Sequence, residues 1–168
     1  MTENLSEEPI VLVPLLELDE AAAKLLEIYE ASGRAGATFS LRFGDMNGKS
    51  LYSVSVWPDR ARKFNGDAVS DRVVQAFISE NLQLLGDPRG CVGLWYNDDE
   101  NITYLDVVAT LPDFQEAKAL ALQYDQIAIF DLQNLTEIET GGTGNTPENM
   151  PPVAERLSKI IPQDKEER

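Results

Sequence analysis

The chain has no histidine and one cysteine, Cys91, among its 168 residues. Without histidine, Ser-His-Asp and Cys-His catalysis within the chain are excluded. A lone cysteine leaves no intrachain disulfide, and the common zinc sites, built from several Cys or His ligands, go with it. Any chemistry falls to carboxylates, Lys, Tyr, Ser, Arg or a carboxylate-bound metal. Cys91 opens a strand-like run with Arg89 as its nearest base, so it reads as a buried small hydrophobe.

Long apolar runs are also missing. Pro9–Leu16 contains two prolines and falls well short of the ~20 apolar residues that a membrane helix needs. Glu3, Glu7 and Glu8 stand where a secretory leader carries positive charge, so a cytoplasmic protein with no membrane attachment is the expectation. Bases are scarce: 14 Lys and Arg face 29 Asp and Glu, a net charge of −15. Residues 73–140 hold twelve acids and two bases, while residues 34–72 hold four acids and seven bases. Repulsion disfavours direct nucleic-acid binding over most of the surface.

What is present is a globular composition, 43% hydrophobic, organised around residues 101–132. A β-branched and aromatic run, Ile102 to Thr110, precedes Pro112. Helical spacing follows at Phe114, Ala117, Ala121 and Tyr124, with Asp113 and Glu116 at the favourable end, then the short apolar run 127–132. Upstream, Asp19 reads as the N-cap of a helix ended by Gly33. Strands over 37–43 and 51–57 flank an Asn47-Gly48 turn and read as a hairpin. Residues 59–66 read as a polar connection, and a helix runs from Asp67 or Ser70 to Leu85. A second hairpin joins 91–96 to the 102–110 strand through a tip at 97–101, and a last strand covers 136–140.

The fold class is α+β: an antiparallel-rich sheet in the order α-ββα-ββαβ, helices packed on it, and flexible acidic termini. The organisation is a tail and extended segment over 1–18, an N-terminal helix over 19–33, an α+β core over 36–140, and a Gly/Pro-containing linker and tail over 141–168. Within the last, Val153 to Ile161 has room for two helical turns. Thr140–Asn145 lacks the endings of phosphate-binding glycine loops and reads as linker.

The candidate functional residues are for partner binding. Trp57 falls on the polar parity of its strand, and Trp95 and its neighbour Tyr96 face opposite sides; such aromatics are hot-spot residues when exposed. Arg60, Arg62 and Lys63, with Arg42 and Lys49, form a basic island interleaved with Phe39, Phe43, Tyr52, Trp57 and Phe64. Asp98, Asp99 and Glu100, with Asp106 on the next strand, offer oxygen ligands to a divalent cation, although Asn and Asp are also ordinary turn residues. Asp106 and Asp131 are acids within strands that no turn or cap accounts for. No catalytic set, metal site or cofactor is assigned.

At Ser53-Val-Ser-Val-Trp-Pro-Asp-Arg60, Gly93-Leu-Trp-Tyr96, Thr103-Tyr-Leu-Asp-Val107, Asp125-Gln-Ile-Ala-Ile-Phe-Asp131 and Thr140-Gly-Gly-Thr-Gly144 the chain resembles a group of small uncharacterised bacterial proteins often carried by phages and other mobile elements. The motifs place the resemblance over roughly residues 36–144. It implies an accessory or anti-defence role and carries no catalytic residue with it. The expected function is therefore a non-enzymatic acidic protein that binds a protein partner. Nucleic-acid mimicry against a nuclease or defence complex is the first alternative, and carboxylate- or metal-dependent hydrolysis the second.

Overall fold

The computed structural model describes residues 17–145, 148, 150–158 and 160. The N-terminal tail expected from composition, most of the extended segment after it and the end of the C-terminal tail lie outside the described residues. The chain runs through α1 (Leu18–Ala31), β1 (Ala37–Ser40), β2 (Gly44–Asp45), β3 (Tyr52–Val54), a 3-10 turn (Pro58–Arg60), β4 (Arg62–Asn65) and α2 (Asp71–Glu80). It continues through α3 (Leu82–Leu85), β5 (Gly90–Asn97), β6 (Ile102–Leu111), α4 (Phe114–Gln123), β7 (Ala128–Asp131), β8 (Thr136–Glu139) and α5 (Val153–Ser158). This is an α+β fold on a curled antiparallel sheet, with strand order β2-β1-β5-β6-β3-β7-β8 and β4 also on β6.

The strand–helix–strand unit at 102–132 forms as its signals indicate. Asp113 caps α4 by accepting the Glu116 N–H at 2.8 Å, leaving one fewer orphan donor at the helix start. Ser70 does the same for α2, accepting from Val73 N–H. In α1 the cap position belongs to Glu17, not Asp19. The Asp19 carboxylate takes the N–H of Glu20 instead, while Ala21, Ala22, Leu25 and Tyr29 are buried. The helix expected to run to Leu85 breaks at Asn81, which is buried and donates to the Phe77 carbonyl; α3 resumes beyond it.

The first expected hairpin does not form. β1 pairs with β2 and β5, and β3 pairs with β6 and β7. The Ser40 hydroxyl accepts the N–H groups of Arg42 and Phe43, which closes a turn where the strand was expected to continue. All four β1 residues are buried, so this strand is covered on both faces. The second hairpin does form, with Asn97 opposite Ile102 and Gly90 opposite Ala109.

The expected polar connection at 59–66 contains β4, which runs antiparallel to β6 over Ile102–Leu105, while β3 pairs with Ala109–Leu111. Between them the chain leaves the sheet at 55–61, so Asp106, Val107 and Val108 lie opposite an interruption in the ladder. This excursion also corrects the reading of Trp57. β3 stops at Val54, strand parity stops with it, and the indole turns into the core. Trp57 is fully buried and its Nε1–H donates to the Val153 carbonyl at 3.4 Å.

The helices share one sheet face. Their apolar residues meet Phe39, Val54, Val92, Leu94, Leu105, Val107, Ala109 and Ile129 in the main core. The segment expected as linker and tail is, where described, docked on this body. Arg156 of α5 is buried and makes a bidentate pair with Asp59 at 2.7 and 2.9 Å, donating also to the Val56 carbonyl. Arg89 reaches the carbonyls of Leu157 and Ile160. Thr140 and Thr143 bond Gln126 and Asp125. Gly142 lies so close to the Gln126 carbonyl that an added Cβ would sit 2.2 Å from its oxygen.

Candidate binding face

The opposite face of the sheet carries no helix in its described part. One half of it is closed by a small second core of Met46, Leu51, Cys91, Val108 and Leu132, with Phe130 against it. Burial pushes the Cys91 thiol up to about 12, which removes it from nucleophilic chemistry at neutral pH. The other half is partly open: Trp95 is exposed, Tyr104 and Asp106 are half-buried, and Thr38 and Gly93 are buried; strand register dictates what stands there. Trp95 is directly opposite Tyr104, Gly93 opposite Asp106, Thr38 opposite Gly93, and Lys63 opposite Tyr104.

Trp95 and Tyr104 stack, with ring centroids 4.4 Å apart and planes 11° from parallel. Lys63 Nζ lies 5.5 Å from the Tyr104 ring centroid, a cation–π distance. The Tyr104 hydroxyl donates to Glu100, and that carboxylate holds the phenol up at about 12. Trp95 remains 40% exposed.

Next to this platform stands Asp106, half-buried. Its neighbour across the ladder is a glycine, and the excursion at 55–61 leaves no strand on its other side. Asp106 Oδ1 accepts the Val107 N–H at 2.9 Å. Burial lifts this carboxyl to about 7, against the Ser55 hydroxyl and the Val107 N–H, which favour the charged form; the Asp59 charge adds to the rise. Some of Asp106 still reaches solvent. Asp131, the other unexplained strand acid, caps its own turn by accepting from Gln133 and Asn134.

The remaining candidates are not gathered into one site. Arg60 caps the break after α2, donating to Asn81 Oδ1 and the Glu80 carbonyl. Arg62 pairs with Glu80 on the helix side of the sheet, while its neighbour Lys63 stands over Tyr104 on the other. The basic island is thus split between two faces. Asp98 and Asp99 are exposed at the hairpin tip, where Asn97 Oδ1 accepts the N–H groups of Asp99 and Glu100. Glu100 is engaged by Tyr104, and Asp106 is half-buried two residues further along β6. Among the described residues no three His, Cys, Asp or Glu side chains come close enough to share a metal ion.

Tyr104, Gly93 and Thr38 are the site residues that sequence reasoning passed over. The tip read as 97–101 would set Trp95 opposite Thr103; the observed pairing of Asn97 with Ile102 makes the tip one residue shorter, and that single step of register brings Tyr104 to Trp95 and Asp106 to Gly93. Among the described residues, no helix is long and apolar enough to cross a membrane. No family model matches this chain, and neither a curated protein nor a solved structure matches it.

Proposed function

We propose that this chain is a non-enzymatic binding protein of the accessory kind, docking a protein partner on the open half of its helix-free sheet face. The observation that carries the reading is the exposed Trp95, stacked flat on Tyr104 and held rigid by a regular ladder. Exposed, pre-ordered aromatics give large contact area at small entropic cost. The net charge of −15 favours a partner with a basic surface.

The test uses Trp95→Ala and Tyr104→Ala in the full chain. A partner is captured from cell extract with the wild type, identified, purified and titrated back by calorimetry. Loss of a central aromatic costs roughly 2 kcal/mol, about 30-fold in affinity, with the melting temperature nearly unchanged. Full affinity in both variants overturns the reading. Affinity lost on neutralising Asp98, Asp99 and Glu100 but kept in Trp95→Ala moves the interface to the tip and favours nucleic-acid mimicry.

A further inference from the structure

The sheet has an open edge that the Trp95 face does not use. The strand order stops at β2 on one side and at β8 on the other. β2 has two residues, and a strand that short blunts its own edge. β8 has four, Thr136–Glu139; Ile138 is half-buried and the other three are exposed. Register fixes which of its backbone groups are free. The Thr140 N–H donates to the Ile127 carbonyl at 2.8 Å, one step beyond the pairing of Glu139 with Ala128. Bonded and non-bonded pairs alternate along an antiparallel ladder, so Thr136 and Ile138 turn their N–H and C=O groups to β7. Glu137 and Glu139 turn theirs outward, and no described residue takes them.

The same register places the side chains. Glu137 stands opposite Phe130, which packs on the helix-free side, and Glu139 stands opposite Ala128 on that same face. Ile138 stands opposite the buried Ile129 and packs with it against the main core. Two carboxylates therefore border the free edge on one face, with an apolar residue between them on the other. Among the described residues neither carboxylate forms an ion pair.

We propose that β8 is a docking edge, which takes an extended segment of a basic partner protein as an added antiparallel strand. Lys or Arg of that segment lies opposite Glu137 and Glu139, and the apolar residue between them lies against Ile138. Each basic residue exchanges both of its backbone hydrogen bonds with the glutamate it faces. Those bonds supply affinity, and the alternating side chains supply selection. Opposite charges across a strand pair attract and like charges repel, which decides among occupants. The β8 of a second copy brings acid opposite acid. The β4 of a second copy brings one base in the right alternation, since Asn65 follows Lys63 two residues on. A segment with two such bases answers both carboxylates, and the net charge of −15 draws it in. This edge is separate from the Trp95 face and does not depend on it.

The experiment is a ¹⁵N chemical-shift titration of the full chain with acetyl-Lys-Val-Lys-Val-Lys-amide. Its controls are the scrambled acetyl-Lys-Lys-Val-Val-Lys-amide, of equal charge, and the acidic acetyl-Glu-Val-Glu-Val-Glu-amide. Saturable shifts centred on Glu137, Ile138 and Glu139 are expected with the first peptide alone, together with slowed exchange of the Glu137 and Glu139 N–H groups. N-methylation of the peptide's Lys residues removes the donors that face β8 and abolishes binding. N-methylation of its Val residues, whose N–H groups point away, leaves it. Glu137→Gln combined with Glu139→Gln weakens binding by roughly 2- to 30-fold, the loss of two cross-strand charge pairs. Both substitutions are at exposed positions and leave the ladder to β7 in place.

No saturable shift, equal shifts with the scrambled peptide, or binding that survives N-methylation of Lys overturns the proposal. Slow exchange of the Glu137 and Glu139 N–H groups in the free chain would assign the edge to the chain's own residues. Dilution of the protein alone moving the same signals would assign it to a second copy; either result also overturns it. Peptide shifts confined to Trp95 and Tyr104 sink the edge and leave the Trp95 docking reading. Peptide binding at β8 unchanged in Trp95→Ala, with a captured partner that also binds Trp95→Ala fully, sinks that reading and leaves the edge.

Discussion

On the helix-bearing face of the sheet Trp57 is fully enclosed, whereas on the opposite face Trp95 keeps 40% of its surface in solvent. Both rings are ordered, but by different means. Trp57 is fixed by packing all round it and by one hydrogen bond to Val153. Trp95 is fixed by a ladder beneath it and a single stacked ring beside it. The first arrangement stabilises the fold; on the docking reading proposed above, the second is spent on a partner. The largest expected effect tests this contrast directly. Trp57→Ala costs about 3–5 kcal/mol, since it empties a core site that has little means to collapse. Trp95→Ala costs under about 1 kcal/mol, the order of its lost stacking. Urea denaturation of the two variants measures both, and equal losses would break the comparison.

The second effect concerns how α5 is joined to the helix-bearing face. The Arg156 side chain is 1% exposed and its partner Asp59 is 38% exposed. Removing the guanidinium loses the bidentate pair and leaves the Val56 carbonyl without that donor. Arg156→Met, which keeps the apolar stem, is expected to cost about 2–3 kcal/mol, below the full figure for a buried pair because Asp59 still meets water. Arg156 also holds the Asp59 carboxyl below the usual aspartate range. The stability from this pair is present above pH 4 and lost as pH falls through the lowered value. The acid limb of the stability profile should therefore flatten in Arg156→Met. An unchanged limb would mean that other carboxylates set it.

These contrasts also show what was legible in the sequence. The 102–132 unit and the second hairpin were readable because each element ends on its own local signal, Asp113, Pro112 or the 97–101 tip. Trp95 was readable because its strand runs two further residues, to Asn97, and parity holds. Trp57 was not, because parity was carried past Val54, where the chain leaves the sheet and Arg156, a hundred residues on, holds the Val56 carbonyl. β4 was hidden in a polar stretch because its cross-strand partners, not its composition, make it a strand. The docked glycine segment was hidden likewise: Gly142 is needed for its close approach to Gln126, a tertiary fact. The candidate face needed two registers at once, β1 on β5 and β5 on β6; the first follows no turn, and the second turns on a tip one residue shorter than 97–101.

Smaller than the Arg156 effect, and of opposite sign, is the one expected at Asp106. Asp106 keeps its proton to about pH 7 in the folded chain, whereas an unfolded aspartate releases it near pH 3.9. Between those values the folded state binds more protons, so stability falls as pH rises from about 4 to 7 and stays low above. Asp106→Asn removes this slope. It should stabilise the chain at pH 8 by about 1–2 kcal/mol, less than the linkage ceiling because the carboxyl retains some access to water. Denaturant midpoints for both proteins at pH 5 and pH 8 give the test, with convergence expected at the lower pH. Substitution in the enclosed core would not show this sign, since there a lost native contact lowers stability. A variant more stable than the wild type at pH 8 would show that the wild-type carboxyl lowers the stability of the fold. Loss of stability at both pH values would instead make Asp106 a structural residue, holding Val107 N–H at the interruption in the ladder.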